Sequence, residues 1–138
     1  TPMSHDTRYI LIDDDRTNNL LCDFVIRDAD PLADVHSFTD AEAGLEQLVS
    51  FLRLGCECVV LLDINMPVLS GWDVLEHLGN LPAAVQKNMT VFMLSSSVSV
   101  EDKQRALSNP LVSDYFEKPL TAEKVGTLMK IQRSKAAA

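Results

Sequence analysis

Five short aliphatic runs alternate along the chain with capped or amphipathic stretches, and polar side chains gather where the aliphatic runs end. This alternation predicts an α/β domain built on a parallel sheet, because each strand must cross over through a helix to reach the next. Five strands and five helices are expected, doubly wound in the flavodoxin-like order 2-1-3-4-5, which puts a ligand site outside the carboxyl ends of the central strands.

The first strand is expected at Tyr9 to Ile12. A helix from Asn19 to Ile26 follows, with Leu20, Leu21, Phe24 and Val25 as its apolar stripe. Val35 to Phe38 is a short second strand. Thr39 followed by Glu42 has the spacing of a capping box, opening a second helix through Leu45, Leu48, Val49 and Leu52 that closes near Gly55. Val59 to Leu62 has no polar alternation, so the third strand is expected to be buried on both faces. It runs into Asp63, and Pro67 cannot continue a ladder. A third helix spans about Trp72 to Leu78 and is broken by Gly79-Asn-Leu-Pro82. Val91 to Leu94 is the fourth strand. Ser99 with Asp102 opens the fourth helix, Tyr115 to Phe116 is a short fifth strand, and Thr121 caps a last helix through Val125, Leu128, Met129 and Ile131.

A chain of 138 residues accommodates one such domain, expected over 6–133, with 1–5 and 134–138 as flexible ends or tag-derived residues. The net charge of -8 argues against a nucleic-acid surface, which needs a basic stripe. No run reaches the length of a membrane span, and the first residues lack the apolar core of a secretory signal. Three cysteines, Cys22, Cys56 and Cys58, do not form a disulfide framework, so a cytoplasmic location is expected. Cys56 and Cys58 read as small hydrophobes at a strand start. His5, His36 and His77 are scattered, without companions at catalytic or metal spacing.

The strand ends carry the chemistry. The first ends in Asp13, Asp14 and Asp15, the third in Asp63, the fourth in Ser95, Ser96 and Ser97, and the fifth in Glu117, Lys118 and Pro119. In the order 2-1-3-4-5, Asp13, Asp14, Asp63 and Ser95 converge on one crevice, and Lys118 reaches in from the neighbouring strand. Clustered carboxylates raise one another's pKa unless a cation neutralises them. An all-oxygen site shared with a phosphoryl group favours Mg²⁺. Lys118 and Ser95 can then neutralise and hydrogen-bond phosphoryl oxygens, while Asp63, the most central acid, acts as nucleophile and forms an aspartyl phosphate. Asp15 is expected to cap the first helix. Trp72, at a helix start, is expected either as an anchor for a partner or at a packed edge of the core.

The set Asp13-Asp14, Asp63 in LLDINMP, Ser95 in FMLSSS and Lys118 in YFEKP resembles the receiver domain of two-component response regulators in order and spacing over nearly the whole chain. The resemblance implies a signalling switch rather than a conventional enzyme. Asp63 would take phosphate from a histidine kinase or histidine phosphotransfer protein. Asp14 and Asp63 would bind Mg²⁺ directly with the Asn65 backbone carbonyl, and Asp13 would act through water. It further implies that Ser95 is the switch hydroxyl and Tyr115 the aromatic that rotates with it, reshaping a partner surface on the fourth helix, fifth strand and fifth helix. The chain departs from the usual pattern in having Ser95 where Thr is frequent, Ser96 where Ala is common, and Ser108-Asn-Pro-Leu-Val-Ser-Asp114 before Tyr115.

Two other readings compete. A small phosphatase of the haloacid dehalogenase type also forms an aspartyl phosphate, but its Asp-x-Asp is here Asp63-Ile-Asn65, and the acidic pair comes first in this chain instead of late. A receiver-like domain that only binds partners would not need the complete acceptor set.

Overall fold

The third strand is the hub of the sheet. In the computed structural model, which describes residues 7–96 and 99–137, five parallel strands lie in the order β2-β1-β3-β4-β5. They are β1 (Thr7–Ile12), β2 (Asp34–Phe38), β3 (Glu57–Asp63), β4 (Met89–Ser95) and β5 (Val112–Glu117). The helices are α1 (Arg16–Ala29), α2 (Ala41–Arg53), α3 (Gly71–Gly79), α4 (Ala83–Gln86), α5 (Val100–Ser108) and α6 (Ala122–Ala137). The fold class and strand order match the expectation, with six helices in place of five. The extra one, α4, is a single turn that directly follows the Gly79-Asn-Leu-Pro82 break. The fourth and fifth helices expected from sequence are α5 and α6.

Alternate residues of the strands supply two cores. Ile10, Ile12, Val60, Leu62, Val91 and Met93 pack with residues of α2, α3 and Ala106 of α5. Tyr9, Leu11, Val59, Leu61, Phe92 and Leu94 pack with residues of α1 and α6. β3 is buried on both faces, as its unbroken apolar run requires. The β4–β5 ladder is less regular, with a register shift between Val91 and Phe92.

Four local expectations change. First, Leu20, Leu21 and Phe24 do not face the core: Leu20 is 62% and Phe24 69% exposed, and α1 buries Asn18, Asn19, Cys22 and Ile26 instead. The cause is polar anchoring of the first turn, where Asn19 Nδ2 donates to the carbonyls of Asp13 at 3.0 Å and Phe38 at 3.2 Å. Those bonds set the helix's rotation. Second, Asp40, not Thr39, caps α2, accepting from the Glu42 N–H at 3.0 Å. A carboxylate one residue nearer the helix wins the first-turn donor. Third, α3 starts with an unpredicted reciprocal capping box between Ser70 and Asp73. Fourth, α6 continues past residue 133 to Ala137, and Lys135 Nζ donates to the Met89 carbonyl. Ser99 and Thr121 do cap, accepting from the Asp102 and Lys124 N–H groups. Residues 1–6 and Ser97, with His5 among them, lie outside the described residues.

Candidate functional site

Parallel register brings the strand ends level. Ile12 pairs with Leu62 and Asp63 with Leu94, so Asp13 and Asp63 emerge side by side and Ser95 stands one residue beyond Asp63's partner. Oxygens of Asp13, Asp14 and Asp63 all lie within 4.8 Å of one another, Asp13 and Asp63 buried and Asp14 exposed. The donor set is all carboxylate oxygen with one face open, which suits a hard divalent cation that keeps waters.

Asp13 is held on both oxygens. Its Oδ1 accepts from the Asp15 N–H at 2.8 Å, and its Oδ2 accepts from Asn18 Nδ2 at 2.8 Å. Lys118 Nζ is 2.7 Å from the same Oδ2 and 3.6 Å from Asp63 Oδ1. Asp15 itself caps α1, accepting from Thr17 and Asn18 N–H groups. Asn18 and Asn19 therefore build the site although sequence reasoning passed over them. The available signal was two adjacent amides in the first turn of the helix that directly follows the acidic triplet Asp13-Asp14-Asp15.

Burial and the Asp13 charge push the Asp63 carboxyl up to about 6, with Asp14 adding a smaller push, while Lys118 and a hydrogen bond from the Asn65 backbone oppose them. Burial works against the Lys118 ammonium, yet the Asp13 hydrogen bond and the charges of Asp13, Asp63 and Asp15 outweigh it and raise its pKa. Buried carboxylates this close together shift upward in this way, and a cation bound among them would act in the opposite direction. Cys22, beneath Asn18, is pushed up to about 12 mainly by burial and is a packed thiol, not a nucleophile.

The remaining predicted residues occupy the same end of the sheet. Ser95 is fully buried, and its carbonyl accepts the Lys118 N–H at 2.8 Å. The Lys118-Pro119 peptide is cis. Tyr115 is half-buried on β5 opposite Met93 and packs at the edge of the first core. Trp72 is half-buried at the same core's edge.

The receiver-domain profile of response regulators matches residues 9–130. The chain belongs to the response regulator receiver domain family. Similar solved structures include a two-component response regulator from Cytophaga hutchinsonii, 27% identical over 93% of this chain and 97% of that one, with a TM-score of 0.84. A response regulator receiver protein from Dyadobacter fermentans is 28% identical over 92% and 98%, with a TM-score of 0.81. The Vibrio cholerae chemotaxis protein CheY4, 20% identical over 91% and 98%, shares the fold with a TM-score of 0.72. Among curated proteins no significant sequence match is found. Receiver domains are phosphoacceptors of two-component systems and take phosphoryl groups from histidine kinases or phosphotransfer proteins. The phosphatase alternative is not favoured. Among the described residues no helix is long and apolar enough to cross a membrane.

Proposed function

We propose that this receiver is phosphorylated on Asp63 in a Mg²⁺-dependent reaction with a histidine kinase or histidine phosphotransfer protein, and that its phosphorylation switches a partner surface. One observation carries the reading: Asp63, buried and crowded by Asp13 and Asp14, has the Lys118 ammonium 3.6 Å from its carboxylate. An Asp63 oxygen attacks phosphorus, the P–N bond to the donor histidine breaks, and its electron pair stays on the imidazole nitrogen. Lys118 moves from Asp13 toward the transferred group and neutralises its oxygens. Asp14, Asp63 and the Asn65 carbonyl would hold Mg²⁺, which supplies positive charge to the phosphoryl oxygens. Asp13, already hydrogen-bonded on both oxygens, fits the water-mediated role.

The donor's landing site lies alongside. Leu20, Leu21 and Phe24 share a face of α1 through i, i+3 and i+4 spacing, beginning about 8 Å along the helix from the Asp15 cap. An exposed apolar cluster beside a phosphoacceptor suits a donor helix that carries histidine. The downstream surface is α5, β5 and α6, reached through Ser95 and Tyr115. Without the methyl of Thr, the Ser95 hydroxyl is less fixed in rotamer. The working unit is the single domain over 6–133, cytoplasmic as its free cysteines suggest.

Acetyl phosphate with Mg²⁺ should add one phosphate by intact mass, and Asp63→Asn should abolish the gain. Phosphorylation of the variant at the wild-type rate would refute the assignment. Sustained turnover of p-nitrophenyl phosphate would favour the phosphatase instead.

A further inference from the structure

α5 commits little of its own surface to the core. It buries one side chain, Ala106, whereas α1 buries four and α2 and α3 three each, besides a buried glycine in both. Val100 and Leu107 on it are exposed. Its hold on the rest of the molecule includes one ring contact: the Arg105 guanidinium carbon lies 4.1 Å from the centroid of the Trp72 ring.

Trp72 is not an arbitrary anchor. It follows Gly71, whose N–H donates to the Ile64 carbonyl at 2.9 Å. A Cβ at Gly71 would sit 2.4 Å from the Asp63 carbonyl oxygen and 2.9 Å from Ile64 Cα, so the start of α3 rests directly on the backbone of the acceptor residue. The reciprocal Ser70–Asp73 cap fixes that turn. Contact is thus continuous from Asp63 through Gly71 and Trp72 to Arg105. It reaches the last turn of α5 by a path separate from the β4 end at Ser95.

We propose that the Trp72–Arg105 stack is a tether holding α5 in the arrangement seen here, in which Lys118 sits closer to Asp13 than to Asp63, and that it sets how readily a phosphoryl group on Asp63 displaces that helix. The inference rests on the receiver reading above. Trp72 and Arg105 are positioning residues, touching neither the acceptor carboxylate nor its phosphoryl group. A phosphoryl group favours whichever packing lets Lys118 and Ser95 meet it. Weakening a contact specific to the other packing makes the shift easier.

Two measurements on the full chain test this. Hydrogen exchange, without any phosphoryl mimic, should show Arg105→Gln losing protection across α5 while β1, β3 and α1 are unchanged, with Arg105→Lys in between because an ammonium stacks less well. Emission from Trp72, the only tryptophan, should change in the same order. Titration with beryllofluoride and Mg²⁺ should then give Arg105→Gln an apparent affinity about two- to fivefold tighter than wild type, the range that an exposed cation–π contact of ~0.5–1 kcal/mol allows. Unchanged α5 exchange overturns the tether whatever the domain's function. Altered exchange with unchanged or weaker beryllofluoride affinity overturns its coupling to the acceptor. A wild-type protein that binds no beryllofluoride refutes the receiver reading, and the exchange arm still decides the tether.

Discussion

The two ends of the sheet are built to different tolerances. On the β1–β3 side, Asp13 is bonded on both carboxylate oxygens and its carbonyl accepts from Asn19, while α1 buries four side chains. On the β4–β5 side the ladder shifts register, β5 is only partly buried, and α5 buries Ala106 alone. Phosphoryl chemistry needs acids and lysine held to fractions of an ångström, whereas a responsive surface needs two packings close in free energy. Rigid acceptor and loosely held responder are therefore separate requirements, and Lys118, which follows β5, belongs to the acceptor although it lies on the responder's side of β3.

The largest test of that contrast is steric. Gly71→Ala drives a methyl into the Asp63 carbonyl, and backbone cannot yield as a flexible side chain could. It should lose ~1–3 kcal/mol of stability in denaturant unfolding, together with acetyl phosphate reactivity. Gly126→Ala in α6, where nothing lies within 4 Å, should instead gain ~0.5–1 kcal/mol. Equal effects at the two glycines would show that the start of α3 is not tightly seated on the acceptor.

Next in size is the electrostatic strain at Asp63. Folding raises this carboxyl from 3.8 to about 6, so its ionisation opposes folding. The advantage of the protonated form is intact below 3.8 and lost as pH rises through about 6. In buffer free of divalent metal, Asp63→Asn should melt at a higher temperature than wild type at pH 7.5, with the gap closing near pH 4. A gap that does not depend on pH would mean that burial and the Asp13 charge do not act on Asp63 as the geometry implies.

The smallest effect sharpens the comparison most. Ser99→Ala and Asp15→Ala each remove one N-cap, a loss of ~0.5–2 kcal/mol of local helix stability. In α5 the loss should spread through the helix and raise amide exchange along its whole length. In α1 it should stay within the first turn, because Asn19, Cys22 and Ile26 hold the rest. Exchange confined to the first turn in both variants would remove the distinction between the two regions.

Much of this was legible in the sequence because it depends on local pattern. Asp63 at the end of an unbroken aliphatic run, Lys118 before Pro119, and caps at Asp15, Ser99 and Thr121 could be read from spacing alone. Parallel winding then had to bring the acids together, since each strand of a βαβ unit delivers its end to the same edge. Rotation of α1 was not legible. Leu20, Leu21 and Phe24 form an apolar stripe by periodicity, and the bonds from Asn19 to the carbonyls of Asp13 and Phe38, with the burial of Cys22 and Ile26, turn that stripe outward. Nor was Asn18 legible, because its partner, Asp13, lies across the turn from β1. The meeting of Trp72 with Arg105, 33 positions apart in the chain, likewise waited on the packing of α3 beside α5. Periodicity ranks residues by apolarity, but a helix turns to whichever face lowers the free energy of the assembled contacts, and a buried backbone carbonyl left without a donor costs ~1–3 kcal/mol. Cys22 and Ile26 bury on that same inward face, so tertiary structure decided the face of α1 and the company of α5.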